Sequence, residues 1–234
     1  MPFYDDSGIR TEEHRGPLFS AIALIYDQIE RMIALNIAWC LQLLPAVLAL
    51  AVPSVPLWAR VLLIAYSAIS FVPATGVLFH MLSRSGQGEM LSVAMLREEL
   101  SHTWLASLLT LLPLYSIFGW LSLLAVWAAG RGWLIVDVLA RLSILILVMC
   151  SIFWGPLFVE RPRQIWLILK RSVQLVSRYP LITTLSGLAI LLAIALGVVS
   201  VGGLFLIAPV FIAMLEIRLY VHINKNARKQ KTST

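Results

Sequence analysis

Asp137 and Arg141 are charged residues inside an apolar run, the strongest polar anomaly in the chain. Four residues apart, they share one face of a helix. Ionisable groups at membrane depth are expensive and commonly mark a solute or coupling-ion site. Their position favours a plainer reading. The uncharged stretch from Leu142 to Val159 already supplies about 18 residues, close to a full crossing. The pair is therefore expected near the outer interface, neutralised at its i,i+4 spacing while Arg141 snorkels. Asn36 and Thr75, each set in apolar sequence, complete the polar residues that could line a substrate site.

Other chemistry lacks its apparatus. No HExxH, P-loop or EF-hand pattern occurs, and Gly86-Gln87-Gly88 lacks the third glycine and strand context of a dinucleotide loop. Thr184-Leu185 ahead of Ser186-Gly187 breaks the Gly-x-Ser-Gly pattern of intramembrane serine proteases, so a small-residue packing site is expected there. His14, His80, His102 and His222 are scattered without ligand spacing, and Cys40 and Cys150 sit singly in apolar runs. No catalytic residue, cofactor or metal ligand is expected, and the chain reads as a non-enzyme.

Composition dictates the elements that hold these residues. Of 234 residues, 60% are apolar and 13% charged. Soluble domains run at about 45–50% and 25%, so the solvent must be lipid. Apolar runs long enough to cross a hydrocarbon core of about 30 Å recur along the chain. They predict an all-α, polytopic membrane protein with six transmembrane helices, at about 32–52, 58–82, 103–128, 133–158, 181–201 and 204–221. Residues 1–16 read as a polar cytoplasmic tail, 17–222 as a single membrane domain, and 223–234 as a basic cytoplasmic tail. The first span serves as an uncleaved insertion signal in this reading. Fifteen Lys and Arg flank the ends assigned inside, against Arg60 and Arg131 outside. Basic flanks stay cytoplasmic, so both termini are placed there.

The spans pair into three hairpins, each preceded by an amphipathic cytoplasmic segment: one opened by Pro17, then 89–102, then 162–179. In the last, Ile165, Ile168, Leu169, Val176 and Tyr179 could enter the interface while Arg163, Lys170, Gln174 and Arg178 meet anionic headgroups or a cytoplasmic partner. Similar phrases recur near the ends of apolar runs: Phe71-Val72-Pro73-Ala74-Thr75-Gly76-Val77-Leu78-Phe79, Gly155-Pro156-Leu157-Phe158 and Ala208-Pro209-Val210-Phe211. They read as matching bends of a diverged internal repeat, to which Pro45 and Pro113, each after Leu-Leu, add support in two hairpins. Ala74 and Gly76 are expected to permit close helix approach, and Thr75 to satisfy a carbonyl freed by Pro73.

Leu35-Asn36-Ile37-Ala38-Trp39, Leu44-Pro45 and Pro73-Ala74-Thr75-Gly76-Val77-Leu78 together resemble the YesL-like family of bacterial integral membrane proteins, best over residues 16–100. Gly16-Pro17-Leu18 and Pro156-Leu157-Phe158-Val159-Glu160 are also similar. A longer segment than is usual in that family separates Pro45 from Pro73, and Val72 stands where the family has glycine. The resemblance implies a multi-pass protein of the bacterial plasma (inner) membrane, with no catalytic residue to carry over. It also implies a link to carbohydrate uptake through a membrane transporter partner. The expected function is a non-enzymatic accessory or scaffold protein; the alternative is a small-solute transporter or channel with a site between the hairpins. Its expected partners are the lipid bilayer, anionic lipid headgroups and a transporter. Nucleic acid is excluded, because the basic residues behind the net charge of +6 sit in segments that border spans.

Overall fold

The computed structural model describes residues 28–199 and 207–232 together with Phe19, Ala21, Ile22, Ile25 and Tyr26; side chains are described through residue 224, Val198 excepted. The expected tail 1–16 and the Gly202-Gly203 break lie outside the described residues. Every described element is helical. Helix α1 (Ile29–Cys40) passes through a 3₁₀ turn, Leu41–Leu43, into α2 (Leu44–Ala51). Two long helices follow, α3 (Leu57–Ser85) and α4 (Val93–Gly130). Then come α5 (Leu134–Ser151), the short α6 (Trp154–Glu160), α7 (Ile165–Arg178), α8 (Pro180–Val199) and α9 (Ala208–Thr232).

Five stretches are long and apolar enough to cross a membrane: Ile29–Ala51, Leu57–Ser85, Val93–Gly130, Leu134–Ser151 and Pro180–Gly197. Their flanks expose large apolar side chains such as Leu50, Leu57, Leu134 and Leu181, a surface suited to lipid and not to water. This is a multi-pass membrane protein. The expected sixth span, 204–221, begins outside the described residues and continues into α9.

The helices depart from the expected boundaries, and proline accounts for two departures. A proline has no N–H to donate and its ring crowds the carbonyl four residues back. Pro45 thus leaves span 1 tightened into the 3₁₀ turn just before it, and Ser67 of α3 accepts the Ala46 N–H at 3.0 Å. Pro156 likewise splits the expected 133–158 span, which turns at Ile152-Phe153 and restarts as α6. In the opposite direction, the amphipathic segment 89–102 and the span after it form one helix. Ser92 caps it by accepting the Met95 N–H at 3.2 Å, and no breaker intervenes before Pro113. At 38 residues, α4 is about 57 Å long, well beyond one crossing. The basic tail expected from 223 continues α9 as helix to Thr232.

Segment 162–179 is also placed differently. Its apolar side chains Ile165, Ile168, Leu169, Val176 and Tyr179 pack against the bundle core through α7, with Ile168 fully buried. Trp166 and Val173 face outward instead.

Helix α3 is the central post, touching α4, α2, α9 and α6. Val72, Val77, Leu78, Phe79 and Leu82 on it are buried. Two glycines allow this approach. A Cβ on Gly76 would collide with Ser107 Oγ of α4, and one on Gly155 of α6 would collide with the Phe79 ring. The expected close approach at Gly76 is therefore present, and Gly155 supplies its counterpart. Gly155→Ala should destabilise the protein by about 1–3 kcal/mol through overpacking. Gly119→Ala, with nothing near its Cβ position, should be neutral or stabilising. Thermal unfolding of the two variants in the same detergent checks the contrast.

Candidate functional site

The site is built where the interrupted helices meet. Thr75, two residues past Pro73 on α3, donates its hydroxyl to the Phe71 carbonyl at 2.9 Å. The carbonyl that Pro73 deprives of its donor belongs to Ile69, so the expected repair role of Thr75 is corrected: its hydroxyl reaches the i−4 carbonyl, a different one. The same oxygen accepts the Trp39 indole N–H at 3.1 Å, tying α1 to α3. Trp39 then tilts against Phe71 with ring centroids 4.8 Å apart.

Asn36, one turn before Cys40 on α1, is fully buried. Its Oδ1 accepts the backbone N–H of Val210 at 3.2 Å. The first N–H groups of a helix have no partner within it, and Pro209 has none to offer. Asn36 therefore caps α9 from a different helix, across the bundle.

Between these elements lies a cavity of about 650 Å³, walled by α1–α2, α3, α8 and α9, with Tyr115 of α4 and the α5–α6 turn at its back. The three proline phrases converge on it: Thr75 and Phe79 from the first, Gly155 from the second, Ala208 and Pro209 from the third. Their positions within helices differ, since Pro73 is interior to α3, Pro156 lies in the first turn of α6 and Pro209 is second in α9. The lining is apolar and aromatic, with Trp39, Phe71, Phe79 and Tyr115 facing it. Ile37, Leu41, Leu44, Val47 and Ile194 line it too and are themselves exposed, so the cavity opens onto the bundle's outer apolar face.

One charged side chain lines this cavity, Glu216 of α9. The expected span leaves the membrane near this residue, yet the helix runs on, with Ile217, Leu219 and Ile223 buried beyond it. In the sequence this residue is obscured: Arg218 follows two positions on and His222 six, so Glu216 reads as part of the charged end of the span.

The four polar candidates thus separate. Thr75 lines the cavity, and Asn36 fixes the end of its α9 wall. Asp137 and Arg141 pair on α5, Nε to Oδ1 at 2.8 Å, away from the cavity and with the Arg141 side chain 64% exposed. No group of His, Cys, Asp and Glu among the described residues could hold a metal ion.

No family model, curated protein or solved structure matches this chain. Function must then be argued from the site itself.

Charged contacts elsewhere tie elements together. Arg84 at the end of α3 meets Glu89 at 2.7 Å, Glu99 at 3.0 Å and Glu98 at 3.6 Å, and Glu99 also approaches His80 at 3.6 Å. Glu160 of α6 binds Arg171 of α7 at 3.4 Å and accepts the Tyr220 hydroxyl of α9. Among these polar links the Asn36 cap is the most buried. Asn36→Ala should lower stability by about 1–3 kcal/mol, the cost of a buried N–H left unsatisfied. Arg141→Ala, at an exposed pair, should change it by less than about 1 kcal/mol. Denaturation of both variants in matched micelles tests the difference.

Proposed function

We propose that this chain is a non-enzymatic, multi-pass membrane protein that holds a lipid-soluble ligand in the cavity between α1–α2, α3, α8 and α9. The observation that carries this reading is the cavity itself: about 650 Å³, apolar, at the depth of the helix interruptions, and open to the lipid-facing surface. Ligand sites of small molecules commonly fall in the range of about 300–1,000 Å³, with mostly apolar walls and few polar groups. Such a wall suits a molecule that arrives through the bilayer. It does not suit a sugar, whose hydroxyls would lose water and gain almost no partners. An accessory role beside a carbohydrate transporter, and membership of the YesL-like family, rest on the sequence resemblance at Leu35–Trp39, Leu44-Pro45 and Pro73–Leu78. That role is compatible with a lipid-filled cavity, because a scaffold does not need to bind the transported solute.

The proposed topology has six spans, the last carried by α9, and both ends of the chain on the cytoplasmic side of a bacterial inner membrane. The bias of Lys and Arg supports it. Arg60 of the outer set caps the end of α2, donating to the Pro53 carbonyl at 2.6 Å.

Two measurements bear on these readings. A membrane-impermeant maleimide applied to intact cells should label Ser54→Cys and spare Gln87→Cys, with buried Cys40 and Cys150 giving little background; the reverse pattern would invert the topology. In lipid nanodiscs, the neutral fluorophore N-phenyl-1-naphthylamine should bind the full chain above the level of empty discs. Ile194→Trp, at the mouth of the cavity, should weaken that binding by roughly tenfold or more without altering yield or elution.

A further inference from the structure

We infer that the cavity is built for a lipid-soluble organic cation, with the Glu216 carboxylate as its counter-charge. The inference rests on the reading above that the cavity holds a ligand. No described residue gives Glu216 an ion pair or a hydrogen bond, and no Lys, Arg or His lines the cavity with it. Arg218, two residues on, points to another side of α9. A carboxylate in apolar surroundings is tolerated when it is paired, and membrane proteins keep such groups at functional positions. The missing partner is positive, and the cavity's walls say of what kind.

A metal ion would need several oxygen ligands. Beside Glu216 the lining offers the side-chain hydroxyls of Thr75, Ser151 and Tyr115 and no second carboxylate, and Thr75 already accepts the Trp39 N–H, a poor set for a divalent cation. A bulky, weakly hydrated organic cation needs no such set. Trp39, Phe71, Phe79 and Tyr115 offer it aromatic walls, to whose π-faces cations are attracted, while Glu216 supplies the opposite charge. The opening on the apolar face admits a molecule dissolved in the bilayer.

The test compares isosteric ions of opposite sign on the full chain in phosphatidylcholine nanodiscs, with partitioning into empty discs subtracted. Tetraphenylphosphonium should displace the neutral N-phenyl-1-naphthylamine at concentrations at least roughly tenfold lower than tetraphenylborate does. Glu216→Gln should keep the neutral probe and lose the preference for the cation; Glu216→Asp should keep both. Equal displacement by the two ions from wild-type protein that binds the probe overturns the inference and leaves the ligand cavity standing. A preference that persists in Glu216→Gln overturns the role of Glu216. Failure of wild-type protein to bind the neutral probe removes the cavity reading, and the cation site with it.

Discussion

A backbone N–H or C=O that leaves its helix in hydrocarbon finds no water, and this constraint governs the whole bundle. The chain places prolines at Pro45, Pro73, Pro113, Pro156 and Pro209, and each removes a donor. Neighbouring helices answer where one can see the repair. Ser67 of α3 takes the Ala46 N–H near the Pro45 interruption, and Asn36 of α1 takes the Val210 N–H beside Pro209. Interrupting a helix here means recruiting another one. The tertiary arrangement is therefore specified by polar contacts at a few helix interruptions as much as by the apolar faces between them.

The cavity is the geometric residue of those interruptions. Where α1 tightens into α2, and where α5 turns into α6, the helices stop running as parallel rods and leave space between them. The same region holds the tightest packing, Gly76 against Ser107 and Gly155 against Phe79. Close contact at Gly76 and Gly155 and the open space beside it are two results of the same bends. Rigid walls follow from the first, and room for a guest from the second.

Much of this was legible in the sequence, and the rest was not for identifiable reasons. Composition and run length gave the membrane class, and the small residues at Gly76 gave close approach, because both are local properties. The boundary drawn at 102–103 failed because charged residues such as Arg97, Glu98 and Glu99 suggest a separate segment, whereas they are also good helix formers and nothing stops α4 there. Asn36 stands out for its polarity, but its role as a cap depends on Val210, which no local pattern connects to it. Along the sequence Glu216 groups with the basic residues that follow it, and its place on the cavity wall emerges only when α9 packs against α1 and α3. Asp137 and Arg141 draw attention by their spacing, and that spacing lets them satisfy each other.

The cap that joins α1 to α9 has a consequence for biosynthesis. Its two residues are separated by 174 positions in the chain. At a translation rate of about 5–20 residues per second, the later partner is made roughly 10–35 s after the earlier one. During that interval α1, α2 and α3 can already be inserted, while the wall formed by α9 does not yet exist. The nascent bundle is an open cleft facing lipid, and its last helix is the door. Whatever occupies the cavity can thus be enclosed during synthesis, before entry is narrowed to the mature mouth between α2 and α8.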